Sequence, residues 1–155
     1  MTESSRIQQI SDELEIRNIL TLYCTSLDSK RYDGLDTVFT PDAFIDYTAA
    51  GGIKGAYPEV KAWLEKALAL FPITQHIVTN FDIRIQGDEA VSRCVFYNPM
   101  VMGTGESEQQ MFFVGGYYND KLTRTPEGWR IAERIEESAW QYGMFPQPGS
   151  IPKQP

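Results

Sequence analysis

The feature that most constrains this chain is a change of hydrophobic period close to its midpoint. Before Pro72 apolar residues recur every three or four positions, and after it they alternate. Ile16, Ile19, Leu20, Tyr23 and Leu27 predict an amphipathic helix over 11–28, with Ser11 as N-cap and Asp12 and Glu13 facing the positive end of the helix dipole. A short helix over 31–39 carries Tyr32 and Leu35 inward and stops at Thr40-Pro41-Asp42. A strand over 43–47 and a glycine-rich loop over 51–55 follow. Pro58 then opens a helix reaching Phe71, with Val60, Trp63, Leu64, Ala67 and Leu68 on one face. Beyond Pro72 the alternation predicts strands over 74–86, 90–102, 111–123 and 129–140, with turns at Gly87-Asp88 and Pro126-Glu127-Gly128 and a polar loop over 103–108. In the first of these, Ile77, Phe81, Ile83 and Ile85 share one parity, and His76, Val78, Asn80 and Asp82 the other. Helices followed by an antiparallel meander make an α+β domain: three N-terminal helices packed on a strongly curved, mostly antiparallel sheet. The expected domain spans 1–142, and 143–155, with four prolines, reads as a C-terminal tail.

Composition narrows the function. With 155 residues, 42% hydrophobic and 23% charged, the chain can bury a core without disulfides. Its formal charge of −7 and scattered Lys and Arg argue against nucleic-acid binding. No apolar run approaches the ~20 residues of a membrane-spanning helix, and the N-terminus shows no secretion signal, so a cytoplasmic location is expected. Cys24 and Cys94 sit in apolar surroundings and read as buried thiols. His76 is the single histidine, which excludes metal sites that need two imidazoles from one chain. No glycine-rich phosphate loop is present. Neither a cofactor nor a metal is expected.

Several segments, taken in order, carry a resemblance. They are Leu27-Asp28, the run Leu35-Asp36-Thr37-Val38-Phe39-Thr40-Pro41-Asp42-Ala43, and Thr74-Gln75-His76-Ile77-Val78-Thr79-Asn80. Gly87-Asp88-Glu89-Ala90, Gly115-Gly116-Tyr117-Tyr118 and Gly128-Trp129-Arg130-Ile131 complete the series. Over roughly residues 10–140 the chain resembles the nuclear-transport-factor-2-like superfamily, and within it the SnoaL-like and scytalone-dehydratase-like proteins, including bile acid 7α-dehydratase. The resemblance implies a cone-shaped α+β barrel around a deep, mostly apolar pocket. It also implies an aspartate at the first helix end, Asp28, paired with a histidine at a strand start, His76. Tyr23 and Tyr47 look like pocket tyrosines of these dehydratases.

Such a set suits elimination of water beta to a carbonyl. Imidazole is a base matched to neutral pH, a carboxylate behind it fixes the tautomer, and phenols can donate to an enolate-like oxygen. The catalytic candidates are therefore His76, Asp28, Tyr23 and Tyr47. Asn98, Trp63, Phe81, Phe113 and Tyr117 are candidates for substrate binding. The chain departs from the dehydratases where they place a second acid or histidine, since Tyr97-Asn98-Pro99 offers only an amide. Arg84, Arg93, Arg130 and Arg134 are expected on the solvated face of the sheet. Asp82 with Arg93 could supply part of an epoxide-hydrolase-like set.

The expected activity is a cofactor-independent dehydratase or isomerase acting on a cyclic hydroxy or keto substrate of steroid, polyketide or aromatic type. Two other readings stay open: a non-catalytic small-molecule-binding domain, and the small subunit of a ring-hydroxylating-dioxygenase-type assembly. Val95, Tyr97, Val114 and Tyr118 are available for an outer face, and a homodimer or homotrimer is expected.

Overall fold

Helix α1 (Glu3–Asp28) begins well before the expected Ser11, because the Thr2 hydroxyl caps it by accepting from the Ser5 N–H. In the computed structural model, which describes residues 2–103 and 109–143, the early turns of α1 are exposed. Only from Asp12 onward does α1 bury a face, through Ile16, Ile19, Leu20, Tyr23, Cys24 and Leu27. A 3-10 turn (Tyr32–Thr37) replaces the second expected helix, and β1 (Phe39–Asp46) starts earlier than the pattern suggested. A second 3-10 turn (Thr48–Ala50) and a short strand β2 (Lys54–Ala56) lead into α2 (Tyr57–Leu68), which has Pro58 in its first turn.

The alternating half of the chain forms β3 (Ile73–Thr74), β4 (Ile77–Gln86), β5 (Glu89–Met102), β6 (Gln110–Thr125) and β7 (Gly128–Gly143). The sheet runs β2-β1-β7-β6-β5-β3, with β4 also paired to β5. Only the β1–β7 pairing is parallel, so the sheet is mixed and mostly antiparallel. Residues 104–108 of the expected polar loop, and all of the expected tail except Gly143, lie outside the described residues. Within them no helix is long and apolar enough to cross a membrane.

The sheet is irregular in register at four places, one of them between Phe39 and Phe44 where β1 pairs with β7. β7 carries an extra residue against β6 at Ala132 and again at Ala139, and β4 slips between Thr79 and Asp82 with Asn80 at φ 53°. The β4 bulge changes the face its residues present. Val78, Phe81, Ile83 and Ile85 pack toward the core, while Ile77, expected with them, is 41% exposed. Gly116 sits where β6 bends, and a Cβ there would collide with the Glu137 carbonyl.

Two polar anchors fix the helices, α1 to the inner face of the sheet and α2 to the 3-10 turn Tyr32–Thr37. Arg124 near the end of β6 grips Asp12 with two hydrogen bonds of 2.8 Å, and the Trp129 indole N–H donates to the same carboxylate. The hydrogen bonds from Arg124 outweigh burial and hold the Asp12 carboxyl down at about 2. On α2, the Tyr57 hydroxyl donates to Asp36 at 2.6 Å and Lys61 pairs with the same acid.

Candidate active site

α1 ends at Asp28, where a negative charge opposes the helix dipole. Three donors compensate for it. The Thr74 hydroxyl donates to Oδ1 at 2.9 Å, the His76 backbone N–H to Oδ2 at 2.8 Å, and His76 Nδ1 lies 2.6 Å from Oδ1. Burial raises the Asp28 carboxyl, but the hydrogen bonds and charge of His76 and the Thr74 hydroxyl outweigh it and leave Asp28 below the usual carboxylate value. Lys30, in the left-handed conformation just past the helix, reaches the Leu68 carbonyl and the Thr74 hydroxyl and closes this junction. A carboxylate at Nδ1 favours the tautomer that carries its proton there, which leaves Nε2 as the basic nitrogen. The His76 side chain is 6% exposed and lines a cavity; Asp28 stands behind the ring and does not line it.

The cavity, of about 110 Å³, lies between the two α-helices and the concave face of the sheet. Its walls are apolar: Leu27 from α1, Trp63, Leu64 and Leu68 from α2, Phe71 beyond it, and Phe96, Met100, Phe112 and Val114 from the sheet. Few polar groups break them. The Tyr23 and Tyr47 hydroxyls are hydrogen-bonded at 2.7 Å, and Asn98 Nδ2 donates to the Tyr118 hydroxyl at 3.4 Å. Burial pushes the Tyr23 and Tyr118 phenols well above their usual value and Tyr47 to about 12, so all three are hydrogen-bond donors at neutral pH. Asn98 Oδ1 is buried with no partner among the described residues.

Beneath the tyrosines lies Arg134, with no exposed surface. Its Nε and Nη2 bind both Asp120 oxygens at 2.7 Å, and its guanidinium sits 4.2 Å from the Tyr23 ring centroid and 4.3 Å from that of Tyr118. The expectation that Arg134 faces solvent is therefore corrected. So is the expectation that Val114 and Tyr118 face outward: both line the cavity. Two residues further along β7, Glu136 also lines it, with Oε1 buried and unpartnered among the described residues. Burial raises its carboxyl to about 8, against an opposing pull from Arg134 and a further push from Asp46.

Of the residues singled out from the sequence, His76, Tyr23, Tyr47, Asn98 and Trp63 meet at this cavity, with Asp28 behind His76. Phe81, Phe113 and Tyr117 do not reach it. Phe81 packs toward the helices under the Arg17 guanidinium, 5.1 Å away. Phe113 and Tyr117 have odd parity on β6 and point to the convex face, where Phe113 stacks with Tyr97 and Tyr117 lies under Arg93. Asp82 and Arg93 are also outside the cavity, paired with Arg84 and Glu137. Sequence reasoning missed Glu136, Arg134 and Tyr118. The adjacent pair Glu136-Glu137 was a usable signal, because neighbours on a strand face opposite ways. Cys24 and Cys94 are buried, and burial lifts both thiols to about 12, so neither is a nucleophile. Among the described residues no group of three or more His, Cys, Asp or Glu side chains is placed to hold a metal ion.

The comparisons with known proteins agree with this architecture. The profile of the SnoaL-like domain matches residues 8–135. The uncharacterized protein Rv2910c of Mycobacterium tuberculosis is 47% identical over 138 residues, covering 89% of this chain and 92% of its own. Among solved structures, a protein from Novosphingobium aromaticivorans assigned as a scytalone dehydratase is similar with a TM-score of 0.77 at 20% identity, covering 90% of this chain and 91% of that one. The hexachlorocyclohexane dehydrochlorinase LinA-type3 from Novosphingobium barchaimii is similar with a TM-score of 0.75 at 13% identity, covering 90% and 94%. At these identities the structural likeness speaks for the fold.

Proposed function

Since the chain belongs to the SnoaL-like domain family, we propose that its cavity catalyses cofactor-independent proton abstraction next to a carbonyl, leading to elimination or isomerisation. The observation that carries this reading is the 2.6 Å contact between Asp28 and a histidine that lines an apolar cavity beside a hydrogen-bonded pair of phenols. His76 Nε2 takes the α-proton. Asp28 holds the ring and steadies the imidazolium that forms. One phenol of the linked Tyr23–Tyr47 pair donates to the carbonyl oxygen as negative charge develops there, while the other donates to its partner and strengthens it, within largely apolar walls. Asn98 supplies a further polar contact for a ring oxygen.

The test is exchange of α-protons from cyclic ketones into deuterated water, followed by NMR. Wild-type protein accelerates exchange, His76→Ala lowers the rate by about 10²–10⁴-fold, and Asp28→Asn lowers it with the ring's nitrogen resonances moving to the other tautomer. A His76→Ala protein that exchanges at the wild-type rate sinks the reading. Tight binding of ring ketones by wild type without exchange replaces it with a binding role.

The convex face of the sheet supports a second element of the proposal, association with another copy of this chain. Tyr97, Phe113, Trp140 and Tyr142 form a row of touching rings, and Trp140 and Tyr142 are 47% and 73% exposed. Neighbouring ion pairs, Arg93 with Glu137 and Lys121 with Glu133, mix both signs, so two such faces can meet without like charges opposed. Sedimentation of wild type as a dimer or trimer supports this, and a monomer at all concentrations refutes it.

A further inference from the structure

We propose that Glu136 is the general acid of this site, holding a proton for a departing hydroxyl, so that the cavity is built to expel water rather than halide. This rests on the reading of His76 as base. A base alone completes only half of a dehydration. Chloride leaves as a stable anion, whereas hydroxide leaves an activated carbon slowly unless it is protonated as the bond breaks. The dehydratase pattern places its second acid near Asn98, and an amide cannot serve.

Glu136 has the placement an acid needs. It lines the same cavity as His76, on β7 while His76 precedes β4, so a bound ring can touch both. Its Oε1 is buried with no partner among the described residues, which is unusual for a carboxyl with a purely structural role. Arg134 pulls toward the charged form but shares its charge with Asp120, which binds its Nε and Nη2, while Nη1 is buried without a partner among the described residues. The other groups acting on Glu136 or facing it favour the neutral form or are themselves neutral: Asp46 at the end of β1, the Tyr47 phenol after it and the Tyr118 phenol of β6. Burial accordingly leaves the acid protonated at neutral pH.

The step balances. His76 Nε2 removes the α-proton, and the C–H electron pair forms the enolate, held by the free proton of the Tyr23–Tyr47 pair. The enolate then re-forms its carbonyl, its electron pair becomes the new carbon–carbon double bond, and the β-carbon–oxygen bond breaks. The departing oxygen takes the Glu136 proton and leaves as water. Imidazolium and carboxylate remain, and transfer of one proton from His76 to Glu136 through water restores both.

The experiment pairs a β-hydroxycyclohexanone with its β-chloro counterpart and reads enone formation above the uncatalysed rate, with α-proton exchange measured on the same samples. Glu136→Gln is expected to lower water elimination by about 10²–10⁴-fold and to lower the ratio of hydroxide to chloride elimination by a similar factor. An unchanged ratio in a folded Glu136→Gln protein overturns the proposal while leaving His76 as base. Absence of exchange in wild type overturns the base and, with it, this assignment. Infrared spectroscopy of the unmutated protein gives a check that does not depend on the variant folding. A protonated carboxyl band at neutral pH that vanishes in Glu136→Gln supports the proposal, and a wild-type spectrum without such a band overturns it.

Discussion

The two faces of the β5–β7 sheet carry nearly the same chemistry and put it to different use. On the concave face Arg134 binds Asp120 over the rings of Tyr23 and Tyr118; on the convex face Arg93 binds Glu137 over the ring of Tyr117. The glutamates are adjacent in sequence. Burial drives Glu136 up to about 8, while a hydrogen bond from Arg93 pulls Glu137 below its usual value. Residue type is therefore a poor guide to role on this sheet. Access to water decides whether an ion pair is a weak surface contact or a structural keystone, and whether a carboxyl is a charge or a proton store.

The largest test of this contrast is truncation of the two arginines. Arg134→Ala strands the buried Asp120 and should cost about 3–5 kcal/mol in urea unfolding, whereas Arg93→Ala should cost about 1 kcal/mol or less. Replacing both buried partners by apolar residues, Arg134→Met with Asp120→Leu, should recover most of that loss, since much of it comes from the uncompensated charge. Equal losses at the two arginines would break the comparison.

Comparable in size is the pH dependence of stability. Glu136 binds its proton more tightly folded, near 8, than unfolded, near 4.5, so between those values the native state holds more protons. Stability from this group is therefore greatest below about pH 4.5 and falls as pH rises to about 8, by up to about 1.4 kcal/mol per unit. The difference between wild type and Glu136→Gln across this window should follow that slope, and Glu137→Gln should show none of it. Glu137 has the opposite sign, a lowered value whose small contribution disappears on acidification.

The glycine pair at the sheet's bend provides a smaller test. A Cβ at Gly116 meets the Glu137 backbone carbonyl, which cannot swing away, and Gly116→Ala should cost about 1–3 kcal/mol. At Gly115 a Cβ meets the ring of Trp140, which is half exposed and can rotate. Gly115→Ala should cost less than about 1 kcal/mol of unfolding free energy and should instead weaken self-association, as read by sedimentation.

Much of this protein was legible in its residues because both periods are local properties. The 3.6-residue stripe from Ile16 to Leu27 and the alternation after Pro72 arise from helix and strand geometry, so the element types, their order and an α+β arrangement follow directly. Asp28 and His76, 48 positions apart, were paired as candidates for one site by the resemblance to the dehydratases and not by any local pattern. The faces of individual strand residues were another matter. Alternation predicts a face only from a known starting point, and each bulge resets it. The slip at Asn80 turned Ile77 outward and Val78 inward, and the extra residues at Ala132 and Ala139 bracket the stretch of β7 that aims Arg134 and Glu136 into the cone. Burial of an arginine or a glutamate is set by what closes over it. Here α1 and the tyrosines at its inner face exclude water from one side of the sheet and leave the other open, a long-range outcome that no local pattern of charges contains.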